Sequence, residues 1–190
     1  SDVDAGATRT FALDADPPDG FAADAAGAWT FDPSVEAYQS LALSATRDLV
    51  VDFTVTDDRD TTDSAALTIT VTGVNDDPTL ATPTAGTIEE TSLSTATSDA
   101  GLTGTLAGDD VDDGATLAYG IVGGTDQGDG TVNLSGSYGT LSVTAATGAY
   151  VYTKNNAAIE ALNAGDAPSD TFTVTVNDEH GAEAQATYRV

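Results

Sequence analysis

Three short acidic segments carry side chains of the type and spacing that bind hard cations. "GVNDDP" (73–78) sets Asn75, Asp76 and Asp77 in a row. "DVDDG" (110–114) puts Asp110 and Asp112 two residues apart, so in an extended segment both point to one side. "NDEHG" (177–181) places Asp178 at the end of an alternating apolar run. Carboxylates gathered in one place repel each other unless a cation sits among them. Ca²⁺ takes about six to eight oxygen ligands at roughly 2.3–2.6 Å, and backbone carbonyls and water can complete a shell that these side chains begin. Mg²⁺ suits the set less well, because it demands near-ideal octahedral geometry. The alternative at each segment is a solvated acidic turn.

Composition favours neither reading alone. The chain has 190 residues, enough for one or two domains. Its 31 acids are 25 Asp and 6 Glu, against 5 Lys and Arg, for a formal charge of -26. Asp is the residue of turns and oxygen-ligand sites, because its short arm holds the carboxylate near the backbone. The bias also fits a protein from saline surroundings. A phosphate backbone would be repelled, which excludes nucleic acid as a partner, and anionic membrane surfaces are disfavoured for the same reason. There is no Cys, hence no disulfide framework or thiolate metal site, as in exported bacterial proteins that fold without oxidation. No apolar run reaches the length of a membrane span, and no signal peptide is visible. Ser1 begins within a polar pattern, as a fragment of a longer chain would.

The elements that must position these acids are strands. "LVVDFTVT" (49–56), "ALTITVTGV" (66–74), "TLSVTA" (140–145), "AYVYT" (149–153) and "DTFTVTVN" (170–177) alternate apolar and polar residues at period two. Val, Thr, Phe and Tyr suit half-buried pleated surfaces. Short helical turns are expected at 34–41 and 156–163. With 40 % hydrophobic residues the chain can bury a core, and many short antiparallel strands imply an all-β sandwich.

The sequence repeats. "DVDAGAT" (2–8) recurs as "DVDDGAT" (110–116), "AGAWTF" (26–31) as "TGAYVY" (147–152), and "FTVTDDRD" (53–60) as "VTVNDEHG" (174–181). The second copy has a longer loop around 123–138. Two domains are therefore expected: a partial copy over 1–75 that lacks its opening strand or strands, a linker over 76–78, and a fuller copy over 79–190. The first copy is either cropped from a longer array or completed by a neighbouring molecule. The linker of about four residues spans at most about 14 Å, so loops at the facing domain ends lie within reach of Asn75, Asp76 and Asp77.

On these motifs the chain resembles a known family. "AGDDVDDGATLAYGI" (107–121), "TVTVNDEHG" (173–181) and "TGVNDDPT" (72–79) resemble the D-x-D, A-x-D-x-x-G and linker segments of cadherin repeats. "GTLSVTAATGAYVYTKNNAAIEALNAGDAPSDTFTVTVNDEHG" (139–181) is similar to the bacterial cadherin-like, or VCBS, repeats of giant RTX-type adhesins. The resemblance implies two tandem cadherin-like Greek-key sandwiches, exported without a cleaved N-terminal signal to the bacterial surface. It implies calcium-stabilised extender repeats that stiffen an adhesive, biofilm-forming fibre, with neighbouring repeats of the same chain as partners and no catalysis. Carried over by position, the Ca²⁺ ligands would be Asn75, Asp76, Asp77, Asp110, Asp112 and Asp178. Gly73 stands at the first Asp position of the cadherin linker and Asp77 replaces its second Asn. The L-D-R-E segment is missing, with Glu36 a weak substitute. Glu89 or Glu90 could match the early cadherin glutamate, at the far end of the domain. One or two ions are therefore expected. Asp2, Asp4 and Asp57 are the equivalents in the first copy, whose site is expected to be empty or weak.

The other features read more simply. "GGTDQGDG" (123–130) is expected to be a hairpin loop and His180 a surface residue. Trp29 and Tyr150 occupy equivalent strand positions and are expected to pack in cores. The Thr ladders read as solvent faces. The rival function is a module that binds exopolysaccharide, which requires an exposed aromatic platform.

Overall fold

The computed structural model describes residues 8–90 and 97–190. Asp2 and Asp4 lie outside these residues, as does the side chain of Glu90. The described residues form strands joined by turns, with one 3₁₀ turn at Glu36–Tyr38 and one short helix at Asn156–Glu160. Both fall inside the segments expected to turn. The helix starts where the Asn155 side chain accepts the Ala158 N–H.

The chain divides into two compact units, Ser1–Asn75 and Asp76–Val190. In the second unit, Thr171–Asn177 is the centre of a three-stranded antiparallel sheet, flanked by Ala118–Ile121 and Glu183–Arg189. A five-stranded antiparallel sheet runs in the order Thr125–Asp126, Thr131–Ser135, Gly139–Thr144, Ala149–Lys154, Thr103–Thr105. Period-two alternation turns one face of each sheet inward. Leu141, Val143, Tyr150 and Tyr152 from the larger sheet meet Ile121, Phe172, Val174 and Tyr188 from the smaller. Leu141, Val143 and Val174 are fully buried. Tyr150 and Tyr188 pack with tilted rings 5.0 Å apart.

The first unit has a three-stranded sheet, Arg9–Leu13, Thr46–Asp57 and Thr62–Thr72, and a two-stranded ribbon, Phe21–Ala23 with Trp29–Phe31. Its larger sheet repeats the register of the second unit. Thr10 pairs with Thr56 and Thr56 with Thr62; at the equivalent positions Ala118 pairs with Asn177 and Asn177 with Glu183. Phe21, Tyr38, Leu49 and Val51 are its buried apolar residues.

Two local features differ from the sequence expectation. The strand expected over 66–74 ends at Thr72. Beyond it Gly73 turns its N–H to the Ala45 carbonyl, and its carbonyl accepts the Ser44 N–H. A Cβ at Gly73 would collide with the Leu41 and Ala42 carbonyl oxygens, so no side chain fits there. This is the physical reason the first linker position is not an aspartate. Trp29 is 49 % exposed, whereas Tyr150 at the equivalent position is 5 % exposed. Trp29 instead stacks on Phe21, with ring centroids 5.9 Å apart. The 123–130 segment does form a hairpin, in which Thr125–Asp126 pairs with Val132 and Asn133.

Two measurements test this packing. Leu141→Ala is expected to lower the unfolding free energy by about 2–5 kcal/mol in urea denaturation. Val151→Ala, at an exposed strand position, should change it by less than about 0.5 kcal/mol. At high pH the buried tyrosines come into play. Burial, and then the nearby Tyr150, push the Tyr188 hydroxyl from 10.0 up to about 12. The unfolded chain therefore loses this proton first, so stability held below pH 10 should decline as pH rises through about 12. Tyr188→Phe is expected to flatten that part of the stability curve.

Candidate metal centre

The acidic segments are brought together by a very short ladder. Thr79–Leu80 pairs antiparallel with Gly108–Asp109, Thr79 facing Asp109. Pro78, buried and without an N–H, precedes this pair and prevents the ladder from continuing. The same register carried three residues further sets Asp76 opposite Asp112. There the Asp76 N–H donates to Asp112 Oδ2 at 3.0 Å. The Asp112 N–H in turn donates to Asp110 Oδ1 at 2.9 Å. Two residues apart, Asp110 and Asp112 thus form a local Asp turn. The chain then bends back through Gly114, whose φ of 80° favours glycine.

Each of these two carboxylates has one oxygen engaged and one not. Asp110 Oδ2 and Asp112 Oδ1 are buried and, among the described residues, have no hydrogen-bond partner. Asp112 is only 7 % exposed. A buried carboxylate oxygen with no donor is costly, and native structures resolve such cases with water, a proton or an ion. Among the described residues, no basic side chain is hydrogen-bonded to either open oxygen. A hard cation is the partner for which two open carboxylate oxygens are suited. On chemistry, therefore, these residues fit Ca²⁺.

Asp178 stands at the same end of its unit. The pairing of Ala118 with Asn177 sets its loop beside the 110–116 loop. Glu179 ties the two loops, its Oε2 accepting the Thr116 N–H at 2.7 Å. That bond holds the Glu179 carboxyl below its usual range. Asp178 is buried, and its Oδ1 accepts the N–H groups of His180 at 2.8 Å and Ala182 at 2.9 Å. Asp57 does the same in the first unit, accepting from Arg59 at 2.8 Å and Thr61 at 2.7 Å. The strand-end aspartate of both copies is thus a hairpin-turn residue, whatever else it binds. Asn75 and Asp76 are half-buried, and Asp77 is exposed. Among the described residues, no three acidic or histidine side chains stand close enough together to hold a metal ion. The structure thus links Asp76, Asp110 and Asp112 directly, and brings Asp178 to the same loops without closing a cage.

Sequence reasoning missed two acids. Glu179 is one; its signal was its place in the "NDEHG" turn. The other is Asp170, 5 % exposed and fully engaged. Its Oδ1 accepts the Ser137 N–H at 2.7 Å, and its Oδ2 accepts the Tyr138 N–H at 2.9 Å and the Tyr152 hydroxyl at 2.7 Å. It pins the Gly136–Tyr138 turn to the core, and a Cβ at Gly136 would strike it. Burial, together with this bond, raises the Tyr152 hydroxyl well above its ordinary value. No pattern in the sequence distinguished Asp170 from a strand-opening surface residue.

A family model described as a bacterial cadherin-like domain matches residues 75–190. No curated protein matches the chain. Among solved structures, the chain is similar to Drosophila N-cadherin EC1-4, at 18 % identity and a TM-score of 0.45, covering 95 % of this chain and 41 % of that one. It is similar to the extracellular cadherin domains 1–5 of protocadherin Gamma B2, at 17 % identity and a TM-score of 0.49, covering 97 % of this chain and 32 % of that one. For the protocadherin GammaB4 extracellular domain the identity is 19 % and the TM-score 0.43, covering 95 % of this chain and 28 % of that one. The chain therefore spans less than half the length of each of these structures.

The two roles open to Asp178 separate by substitution. Asp178→Asn keeps the Oδ1 acceptor and should leave stability without added metal within about 0.5 kcal/mol. Asp178→Ala leaves two turn N–H groups without this acceptor and should cost about 1–2 kcal/mol. Urea denaturation in chelator measures both.

Proposed function

The chain belongs to the bacterial cadherin-like domain family, and on that premise we propose that it is a calcium-stabilised extender segment of a large bacterial surface adhesin. In this reading it lies outside the cell, and its partners are neighbouring repeats of the same kind. Its task is mechanical: it lengthens and stiffens a fibre that serves adhesion and biofilm formation, and no catalysis is assigned to it. The observation that carries the reading is the pair of buried carboxylate oxygens, Asp110 Oδ2 and Asp112 Oδ1, which have no hydrogen-bond donor. Bound Ca²⁺ would supply the positive charge that turns this repulsion into cohesion. Asp110 and Asp112 would be its principal side-chain ligands, with Asn75, Asp76, Asp77 and Asp178 as the further donors of the set. The Asp112 N–H already orients Asp110, and the Asp76 N–H orients Asp112, so part of the ordering precedes any ion. The linker is short by sequence, so an ion held there would limit the swing of one repeat against the next.

Extracellular modules bind Ca²⁺ with dissociation constants of about 10⁻⁴–10⁻³ M. At about a hundredfold excess over that constant, stabilisation should reach roughly 2.7 kcal/mol and vanish with a chelator. Calorimetric titration of the wild type and of Asp110→Ala provides the check. Heat of binding in the wild type and its loss in the variant are expected. No heat in either protein, or equal heat in both, would sink the proposal.

A further inference from the structure

The proposed ligands of the second unit come from two loops that are far apart in sequence. One, 110–116, carries Asp110 and Asp112; the other, 178–182, carries Asp178. Each loop is shaped by bonds within itself. In the first, the Asp112 N–H donates to Asp110 Oδ1 at 2.9 Å and the Ala115 N–H to the Asp112 carbonyl at 3.1 Å. In the second, Asp178 Oδ1 accepts the His180 and Ala182 N–H groups, and the Asp178 N–H donates to the Ala182 carbonyl at 3.2 Å. These bonds span two to four residues and fix the form of each loop. They leave the separation of the two loops open.

The sheet beneath sets that separation as far as its ladder runs. The last pair between the two strands is Ala118 with Asn177. Asp178 follows directly, whereas Asp110 and Asp112 lie eight and six residues before Ala118, past the turn at Gly114. A bond beyond the ladder bridges the gap. Glu179 Oε2 accepts the Thr116 N–H at 2.7 Å, across 63 residues of chain. Thr116 stands between Gly114 and the strand, so this bond fixes the leg that carries the Asp110–Asp112 turn. Glu179 is exposed, and its bonded oxygen is engaged by a backbone N–H. In this it differs from Asp112, which is 7 % exposed and whose Oδ1 has no partner among the described residues.

We infer that Glu179 is a positioning residue for the cation site: through Thr116 it sets the distance between the Asp110–Asp112 carboxylates and Asp178. This role rests on the calcium reading of that pair. Ca²⁺ ligands stand about 2.3–2.6 Å from the ion, so the two loops must agree closely in position before both contribute. With the bond in place, that agreement is built into the metal-free protein. Without it, the ion must order the 110–116 loop as it binds, and affinity falls. Groups that orient metal ligands typically contribute about 10–100-fold to affinity. What acts here is the reach of the side chain and its acceptor oxygen, not its charge.

Two substitutions in the full chain separate reach from charge. Glu179→Gln keeps the length and a carbonyl acceptor and removes the charge. Glu179→Asp keeps the charge and shortens the arm. In calorimetric titration with Ca²⁺, Glu179→Gln is expected to bind as the wild type does, and Glu179→Asp about tenfold more weakly. In chelator, without metal, amide hydrogen exchange of Thr116 should quicken in Glu179→Asp alone, while the urea midpoint of both variants stays that of the wild type. Binding by Glu179→Gln weakened as much as that of Glu179→Asp, or more, would assign the effect to charge or direct ligation and overturn the positioning role. So would equal Thr116 exchange in all three proteins. A lower urea midpoint for Glu179→Asp in chelator would overturn it too, making the bond a support of the fold alone. Equal heat in the wild type and both variants removes the positioning role and leaves the calcium reading standing; no heat in the wild type removes both.

Discussion

Two carboxylate oxygens withdrawn from water without a donor set the terms for one end of the second unit. Asp110 Oδ2 and Asp112 Oδ1 lie there while their partner oxygens are held by backbone N–H groups. The loop cannot relax by turning these side chains out without giving up the bonds that shape it. What compensates such burial is a donor or a positive charge, and of basic side chains the sequence has few to offer: 5 against 31 acids. The nearest parallel, Asp170, is resolved internally by three donors. The contrast between Asp170 and the Asp110–Asp112 pair separates a fully engaged carboxylate from one with an open oxygen better than burial does.

The rest of the second unit serves to hold that loop pair. The two-residue ladder of Thr79–Leu80 with Gly108–Asp109 fixes the register that sets Asp76 beside Asp112. The ladder of Ala118–Ile121 with Thr171–Asn177 fixes the other loop, with Glu179 joining the two. Both ladders stand on a core in which Leu141, Val143 and Val174 have no exposed surface. Packing of that density does not deform continuously, so the loops inherit a defined spacing.

Much of this was legible beforehand. The period-two runs at 49–56, 140–145, 149–153 and 170–177 became strands, because alternating apolar residues can bury one face only in a sheet. The internal repeat carried over to matching hairpin registers and to the same strand-end turn at Asp57 and Asp178. The expectation failed where a neighbour decided the outcome. Trp29 read as core because Tyr150 is core, but core status there depends on a strand that covers the ring. Asp178, read as a ligand, also shapes its own turn through Oδ1, a contact its motif did not announce. Asp170 was invisible because its backbone donors lie 32 to 33 residues away, in a turn of ordinary composition, and its third donor, the Tyr152 hydroxyl, lies 18 residues away.

The sequence by itself determined the strand periodicity, the duplication, the acidity and the aspartate pairs spaced to face one way. These are local or cumulative properties, written in residue type and interval. Tertiary structure decided which oxygens remain open, because that depends on which backbone N–H groups arrive from other segments: Asp76 for Asp112, Ser137 and Tyr138 for Asp170. It also decided that Gly73 could bear no side chain, since the Leu41 and Ala42 carbonyls, some thirty positions earlier, occupy the space. Spacing names the candidates for a site, and only long-range contact leaves a particular atom without a partner.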